Sequence, residues 1–260
     1  MAIVNPYGVG VNHMPNIVVL VKRVPDTNAR IVVNGDRVDL SAVKWVISPY
    51  DEFAIETALQ HKEAAGGSVT ALTLGPSDAD KVLKDAKAIG VDEIVRVWDD
   101  SWNEMDSNGI QSALAEAITG LGADLVYCGK TAADTGAGST GPGVAERLGW
   151  ASVSNIIDAS FDGGLTVTAP AEGGSAIISV PGSAVISCDK GSVKVRKPNV
   201  KGIMMAKRAQ VNVMGASAPA ASVTIVSQTP PPAKPAGKKY EGGASAQEVA
   251  QLLRDEANVI

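Results

Sequence analysis

A glycine-rich loop is the segment of this sequence whose residue types best suit ligand binding. It reads GKTAADTGAGSTGPG and holds five glycines from Gly129 to Gly143. Glycines allow consecutive backbone N–H groups to approach an anion, and the hydroxyls of Ser139 and Thr140 could donate to phosphate oxygens. The loop matches neither the Walker A motif nor GxGxxG. Glycine content alone also fits an ordinary flexible loop, so both interpretations stay open at this point.

Two other segments could complete a nucleotide site. Lys22 and Arg23 follow an apolar run, and Ser48, Pro49 and Asp51 open a helical pattern. A serine can cap the free N–H groups of a helix, proline suits the first turn, and an acid there complements the helix dipole. Together these residues could enclose a nucleotide. The competing interpretation is that the two basic residues form a solvated strand end.

Few residues in this sequence suit other kinds of chemistry. Cys128 and Cys188 lie in apolar runs without CxxC spacing, which is typical of buried hydrophobic residues rather than metal ligands. The only histidines are His13 and His61, so neither a histidine cluster for a metal nor a sensible Ser-His-Asp arrangement is available. The sequence therefore predicts no metal site and no catalytic residues.

Composition excludes further classes of protein. The net charge of -5 and the pI near 5.1 argue against nucleic-acid binding, which needs a concentrated basic surface. No apolar run approaches the roughly 20 residues that span a bilayer. Residues 1–13 lack the pattern of a secretory signal and are interpreted as an extension or a tag. With so few cysteines, we expect a cytoplasmic protein.

Alternating strand and helix patterns position the candidate loops. Apolar β-branched runs at residues 17–24, 68–74, 93–98 and 124–129 are each followed by a helical pattern, which is typical of βαβ units on a parallel sheet. Between the first strand and its helix, a run around Asn34-Gly35 predicts a hairpin with a type I′ turn. Ligands of such sheets bind beyond the carboxyl ends of the strands, so the loops after strands one, two and four are the predicted site.

The second half of the chain has a different pattern. Residues 150–187 show short alternating apolar runs separated by Gly-Gly pairs, which predict antiparallel strands at the edge of the sheet. Residues 191–208 are locally basic and contain two adjacent methionines. This basic segment is either a connection at the sheet edge or a docking surface for acidic partners.

The C-terminal part separates into an arm and a helix. Residues 214–245 are rich in Ala, Pro, Gly and Ser and are predicted to be a tether. A helical pattern returns over residues 246–260, and Ser245 with Glu248 predicts a capping box. The predicted architecture is an α/β, Rossmann-like domain over residues 14–213, with a mostly parallel, doubly wound sheet, followed by this arm and a docking helix.

An ordered set of motifs resembles a known family over nearly all of residues 14–260. The set comprises VLVKRVPDT, ISPYDEFAIETAL, TLGP, the GK-x-A-x-D loop with GPGVAERLGW, EGG and VRKPNVKGIMMAKR. Together these motifs resemble the β subunit of electron transfer flavoproteins, and the ordered set is highly specific although no single motif is. The resemblance implies an α/β nucleotide-binding fold and a heterodimer whose α subunit holds most of a redox-active FAD. It also implies a structural AMP in this chain.

The resemblance assigns roles to individual residues. The family's nucleotide contacts fall on residues of the predicted loops: Leu20, Ser48, Pro49, Tyr50, Asp51, Leu74, Gly129, Lys130, Thr131, Asp134, Gly138, Ser139 and Thr140. Val200, with Arg196 nearby, resembles the anchor of the loop that docks dehydrogenase partners. The implied role is an electron carrier, taking electrons from a flavin dehydrogenase to an acceptor such as a membrane quinone oxidoreductase. The flavin performs the electron chemistry, so the chain itself is not expected to be an enzyme.

Departures from the family pattern leave alternatives open. The run 135–140 differs from the acid- and amide-rich loop common in the family, so the side-chain contacts to phosphate must differ. Electron-bifurcating members, which hold a second FAD in place of AMP and oxidise NADH, share a Phe-Ala-Gly-Ala-Asp-Thr run after the third strand. This sequence has DSWNEMDSN there, which favours a non-bifurcating carrier. A universal-stress-type adenine nucleotide-binding protein is the other alternative.

Overall fold

The fold is taken from a computed structural model that describes residues 14–102, 104–234 and 236–260. The predicted extension at residues 1–13 lies outside the described residues. The strands are Asn16–Leu20 (β1), Arg23–Pro25 (β2), Val32–Asn34 (β3), Arg37–Asp39 (β4), Trp45–Ile47 (β5), Ser68–Leu74 (β6), Glu93–Val97 (β7), Leu125–Gly129 (β8), Ala151–Ile156 (β9), Asp158–Ser160 (β10), Leu165–Ala171 (β11), Gly174–Val180 (β12), Ala184–Cys188 (β13) and Asn212–Met214 (β14). The α-helices are Pro49–Ala65 (α1), Asp80–Ile89 (α2), Ser107–Gly120 (α3), Thr140–Leu148 (α4), Val200–Arg208 (α5) and Ala246–Asp255 (α6).

A seven-stranded sheet forms the centre of the fold, in the order β14-β7-β6-β1-β8-β13-β9. Every neighbouring pair in it is parallel. The chain runs from β1 outward through β6 and β7, then returns to place β8 on the other side of β1. This reversal is the topological switch point at which α/β sheets bind ligands. The predicted α/β, Rossmann-like fold class is confirmed.

Helices cover both faces of the main sheet. In β1, Ile17 and Val19 are fully buried in one apolar cluster with residues of α1 and α2. Val18 and Leu20 point to the other face, into a second cluster with residues of α3 and α4. Because successive side chains of a strand point to opposite faces, a strand buried on both sides is continuously apolar. This explains why β1 has no polar alternation.

Antiparallel strands are present, but not at the edge of the main sheet. The edge strands β9 and β14 pair in parallel with β13 and β7. Residues 158–180 form a separate three-stranded antiparallel sheet, β10-β11-β12. The expectation that residues 150–187 add antiparallel strands to the edge is therefore wrong in its placement. The Gly-Gly pairs do lie at hairpin turns, between β10 and β11 and between β11 and β12. These three strands pair only among themselves and not with the main sheet.

The first predicted strand and its hairpin also differ in detail from expectation. The run 17–24 breaks after Leu20, because Lys22 N–H donates to a carboxylate of α1 and β2 then pairs antiparallel with β5. The hairpin β3-β4 exists as predicted, but its central residues are Gly35 and Asp36 rather than Asn34 and Gly35. Only Gly35 has a positive φ, 61°. A glycine at the first central position fits a type II′ turn instead of type I′.

The C-terminal arm leaves β14 and lies along the domain before it reaches α6. Hydrogen bonds join residues 217–228 to α3, to the loop before it and to the hairpin β3-β4. The predicted capping box is absent, because Ser245 Oγ donates to Glu241 O and makes no cap bond. A 3₁₀ turn at Gly243–Ser245 precedes α6 and puts Ser245 in a helical conformation, which a capping residue does not adopt.

Candidate functional site

A cavity of about 940 Å³ lies at the carboxyl ends of β1, β6 and β8. This is the place that the switch point predicts for a ligand. Most of the residues predicted to contact a nucleotide line this cavity, namely Leu20, Asp51, Leu74, Gly129, Lys130, Thr131, Gly138, Ser139 and Thr140. Ser48, Pro49, Tyr50 and Asp134 were predicted with them but do not line it.

The buried carboxylate of Asp51 joins the ends of the two strands at the switch point. It accepts the Lys22 N–H at 2.7 Å after β1 and the Gly129 N–H at 3.0 Å at the end of β8. Burial raises the pKa of Asp51 to about 7, against the lowering effect of these two hydrogen bonds. A β-carbon on Gly129 would lie 2.4 Å from Asp51 Oδ1, so this contact requires glycine. The α1 helix is thereby fixed to the cavity wall.

The glycine-rich loop ends in the N-terminus of α4, directly at the cavity. Gly136 and Gly138 have φ of 64° and 63°, a conformation that glycine adopts without strain. The helix begins at Thr140, so the last residues of the glycine-rich loop form its first turn. Ser139 occupies the N-cap position but its side chain makes no cap bond. The first N–H groups of α4 are therefore not capped by Ser139, and the helix dipole places partial positive charge there.

A polar atom without a partner supports a ligand at this loop. Thr131 Oγ1 is buried and has no hydrogen-bond partner among the described residues, although Thr131 lines the cavity. A buried hydroxyl without a partner costs free energy, so such groups normally find a donor or an acceptor. Gly141, in the first turn of α4, also lines the cavity, and a β-carbon on it would lie 2.9 Å from Cys128 Sγ. The loop thus offers N–H and hydroxyl donors at close backbone approach, which fits a phosphate group.

Gln111 of α3 supports the glycine-rich loop, and sequence reasoning missed it. Its Nε2 donates to Ser139 O at 3.0 Å, and Arg147 Nη1 donates to its Oε1 at 2.7 Å. A β-carbon on Gly143 would lie 2.2 Å from the Gln111 side chain, so the glycine is required where the two helices meet. Because 28 residues separate Gln111 from Ser139, no local pattern signals this contact.

Two lysines beside the cavity are each held by a carboxylate. Lys22 Nζ lies 2.7 Å from Asp134 Oδ1, and Lys130 Nζ lies 2.9 Å from Asp189 Oδ2. Lys130 Nζ also sits 4.8 Å from the ring centroid of Tyr50. The hydrogen bond to Asp189 raises the pKa of Lys130. Each pair is neutral overall, so the charge of the two ammonium groups is balanced by the aspartates. Tyr50 and Asp134 lie beside the cavity, in contact with these lysines.

Two other candidates, Arg23 and Ser48, do not line the cavity. Arg23 pairs with Asp78 and stacks over Trp45, with its guanidinium carbon 4.2 Å from the ring centroid, and it does not line the cavity. Ser48 is fully buried at the N-cap position of α1, but its Oγ makes no cap bond and has no partner among the described residues. The predicted side-chain cap is therefore wrong. The Asp51 N–H donates to Ser48 O at 2.9 Å, so α1 presents fewer free N–H groups than expected.

The helix α5 carries the predicted docking residue on an apolar surface. Val200, its first residue, is 76% exposed, and Met204 and Met205 are about half exposed. Asn199 caps the helix by accepting the Gly202 N–H at 2.8 Å. A β-carbon on Gly202 would lie 2.3 Å from Ala88 O, so α5 packs closely on α2 while its apolar side faces outward.

Arg196 fixes the basic segment to α1. Its guanidinium lies 2.8 Å from Glu56 and 2.6 Å from Glu63, and its backbone N–H also donates to Glu56. Burial raises the pKa of Glu56, but the hydrogen bonds from Arg196 outweigh it, so the pKa is lowered overall. The structure therefore places this predicted docking residue in ion pairs within the chain, where it positions the segment that leads into α5.

Other chemistries find no support in the described part of the chain. Cys128 and Cys188 are buried free thiols, and burial raises the pKa of both, to about 12 for Cys188. Among the described residues no group of His, Cys, Asp and Glu is arranged to hold a metal ion. Within those same residues, each helix is too short or too polar to cross a membrane.

The sequence is similar to proteins of the electron transfer flavoprotein family. A family model described as the electron transfer flavoprotein domain matches residues 37–219. The electron transfer flavoprotein subunit beta of Bacillus subtilis (strain 168) is 32% identical, covering 94% of this chain and 100% of that protein. The protein of the same name from Mycobacterium tuberculosis (strain H37Rv) is 34% identical over 92% and 98%. Protein FixA of Sinorhizobium fredii is 31% identical over 75% and 72%.

Proposed function

We propose that this chain, which belongs to the electron transfer flavoprotein family, is the β subunit of a heterodimeric electron carrier. In this role it binds an adenine nucleotide, completes the FAD site of an α subunit and docks a dehydrogenase. The observation that carries the proposal is the cavity at the switch point. It is lined by the first residues of α4, which Ser139 does not cap, and by Thr131, whose buried hydroxyl has no partner among the described residues. These groups suit a phosphate better than they suit any acid-base chemistry.

AMP is the proposed ligand of the cavity. The residues that would hold its phosphate are the hydroxyl of Thr131 and the N–H and hydroxyl groups of Ser139 and Thr140, with Gly138 permitting close approach. Lys22 and Lys130 line the cavity and would offer further N–H donors, with the charge of each balanced by the aspartate that it pairs with. AMP performs no redox chemistry, so its role is to brace the loops that surround it.

The FAD of the α subunit supplies the electron transfer when it is bound. This chain needs no acid, base or nucleophile for that function, because its task is to position the flavin and to tune its electrostatic surroundings. The proposed route takes electrons from a flavin dehydrogenase to an acceptor such as a membrane quinone oxidoreductase. The buried thiols of Cys128 and Cys188, both unpaired, support a reducing cytoplasmic location.

A second candidate is the electron-bifurcating, NADH-oxidising type, in which this chain holds its own FAD. The cavity of about 940 Å³ is at the upper end of the range for ligand pockets, so its volume admits a ligand larger than AMP. The run DSWNEMDSN after β7 favours AMP, because it lacks the sequence that bifurcating members share. Family membership also favours the carrier over a universal-stress-type nucleotide-binding protein.

Two surfaces are proposed to meet other proteins. Val200 on α5 is the proposed anchor for the dehydrogenase, since an exposed aliphatic side chain can enter an apolar pocket of a partner. The helix α6 is the proposed contact with the α subunit. Val249, Leu252 and Leu253 recur at helical spacing on it, yet none of its residues is buried in this chain. An apolar stripe of this kind normally packs against another surface.

Mass spectrometry of the nucleotides released on denaturing the purified native heterodimer tests the proposal. One AMP and one FAD per heterodimer is the expected result. Two FAD and no AMP would replace the carrier by the bifurcating candidate. A complex that releases neither an adenylate nor a flavin would refute nucleotide binding by this chain.

A further inference from the structure

Part of the C-terminal arm forms one wall of the nucleotide cavity. We use the name strap for residues 217–228 of the arm. Four of its residues line the cavity: Ser222, Val223, Ile225 and Gln228. The hairpin β3-β4, the loop 104–106 and the first residues of α3 also line it. The strap, the hairpin and this loop are separate from the strand ends and the glycine-rich loop that make up most of the rest of the wall.

Arg37 of the hairpin joins the three segments. Its guanidinium donates to Ile225 O at 2.7 Å and to Val226 O at 3.0 Å on the strap, and to Glu104 Oε1 at 3.3 Å on the loop. The planar guanidinium carries five donors in a fixed geometry, so one side chain can hold several acceptors at once. A lysine could not reproduce this arrangement.

Asp106 and Gln228 attach the strap at two further points. Asp106 Oδ2 accepts the N–H of Ser222 at 2.7 Å and that of Val223 at 3.3 Å, while its other oxygen caps α3. Gln228 accepts the Val38 N–H at 2.9 Å through Oε1 and donates its own N–H to Asp36 O at 3.0 Å. The strap is thus held along its length by polar contacts to the hairpin and the loop.

Apolar burial contributes little to holding the strap. Val223 is 69% and Val226 is 86% exposed, so neither side chain is removed from water by the domain. Segments held by a few exposed hydrogen bonds open at low free-energy cost, whereas segments packed into a core do not. The strap can therefore separate from the cavity without unfolding the sheet.

We propose that the strap is a gate for the nucleotide, held closed by Arg37. In this gate, an adenine nucleotide passes the side of the cavity that the strap lines when the strap separates from the hairpin and the loop. The contacts of Arg37 then set the rate of nucleotide dissociation and explain how a bound AMP is retained as a structural component. This inference rests on the proposed function, because it assumes that the cavity binds an adenine nucleotide.

Nucleotide exchange in the purified heterodimer tests the gate. The native complex is incubated with excess ¹⁵N-labelled AMP, and mass spectrometry follows replacement of the bound AMP. We expect Arg37→Ala to accelerate exchange about tenfold, the effect of losing hydrogen bonds from a charged donor. Arg37→Lys should accelerate it similarly, because it keeps the charge but loses the geometry. Arg30→Ala is the matched control, since Arg30 is exposed just before the hairpin and has no described contact with the strap.

Amide hydrogen exchange gives a second readout that does not depend on exchange of AMP. The N–H groups of Ser222, Val223 and Gln228 should exchange faster in both Arg37 variants than in the Arg30 variant. Equal AMP exchange rates in all three variants and the wild type, with AMP present, would overturn the gate alone. A wild-type heterodimer that contains no AMP and takes up none would overturn the proposed ligand, and the gate with it.

Discussion

The nucleotide cavity and the partner-facing helices of this chain are built in opposite ways. At the cavity, backbone atoms of Gly129 and the carboxylate of Asp51 approach so closely that a single added carbon does not fit. On α5 and α6, the residues proposed for docking are exposed or half-buried, and none of them belongs to the core. Nucleotide binding at the strand ends therefore depends on the fold itself. Docking of partner proteins depends instead on side chains that the fold does not need.

Gly129→Ala is expected to cause the largest loss of stability. The new β-carbon would lie 2.4 Å from Asp51 Oδ1 and 2.9 Å from Asp51 N, so the backbone of α1 must move. Overpacking of this kind costs about 1–3 kcal/mol in the free energy of unfolding. Urea unfolding measures it. Gly215→Ala on the arm is the control, since its β-carbon would meet nothing within 4 Å. Equal stability of the two variants would contradict the claim that the cavity depends on close backbone contacts at Gly129.

Asp51→Asn is expected to change how stability depends on pH. Because the pKa of Asp51 rises from 3.8 to about 7 on folding, its contribution is fully present below pH 4 and is lost as pH rises through 7. The amide offers one oxygen to two N–H donors, so the variant should be less stable by about 1–3 kcal/mol near pH 5. The difference in free energy of unfolding between the wild type and the variant should become smaller towards pH 8. Urea unfolding at both pH values measures this difference. The same difference at pH 5 and pH 8 would contradict the raised pKa of Asp51.

The sequence sufficed to predict the cavity because its wall consists mostly of strand ends. Continuous apolar runs mark β1, β6 and β8, and in a parallel sheet the carboxyl ends of such strands meet at one edge. The glycine-rich loop follows β8 directly, so it was expected at that same edge. The glycines were expected to allow close approach of an anion, but Gly129, Gly141 and Gly143 lie against side chains of this chain that would obstruct a β-carbon, which the sequence did not predict.

Contacts between distant segments could not be predicted in this way. Arg37 meets Ile225 across 188 residues, and Gln111 meets Ser139 across 28, so neither pair produces a local pattern. The short edge strands β9 and β14 were missed as parallel strands for a related reason. Their side chains are mostly exposed, so alternation carries little information, and their direction follows from the connections that lead into them.

Removing α6 is expected to affect assembly but not folding. Truncation after Gly243 deletes the stripe of Val249, Leu252 and Leu253, none of which is buried in this chain. The urea midpoint of the isolated chain should stay unchanged. Affinity for the α subunit should fall by about tenfold or more, because burying one leucine side chain contributes about 1.5–3 kcal/mol. Calorimetric titration with the α subunit measures it. Gln247→Ala is the control, and unchanged affinity of the truncated chain would contradict the docking role of α6.

Val200→Asp is expected to leave both folding and assembly intact, so its effect on stability is the smallest of those predicted here. An exposed substitution changes stability by about 0.5 kcal/mol or less. Reduction of the bound flavin by the donor dehydrogenase should slow about tenfold, since a charge cannot enter an apolar pocket that the valine fills. Stopped-flow absorbance measures that rate at equal flavin content. Ile177→Asp on β12 is the matched control, because Ile177 is 78% and Val200 is 76% exposed. If both variants slow reduction equally, the effect comes from added negative charge anywhere on the surface, and α5 is not the docking site.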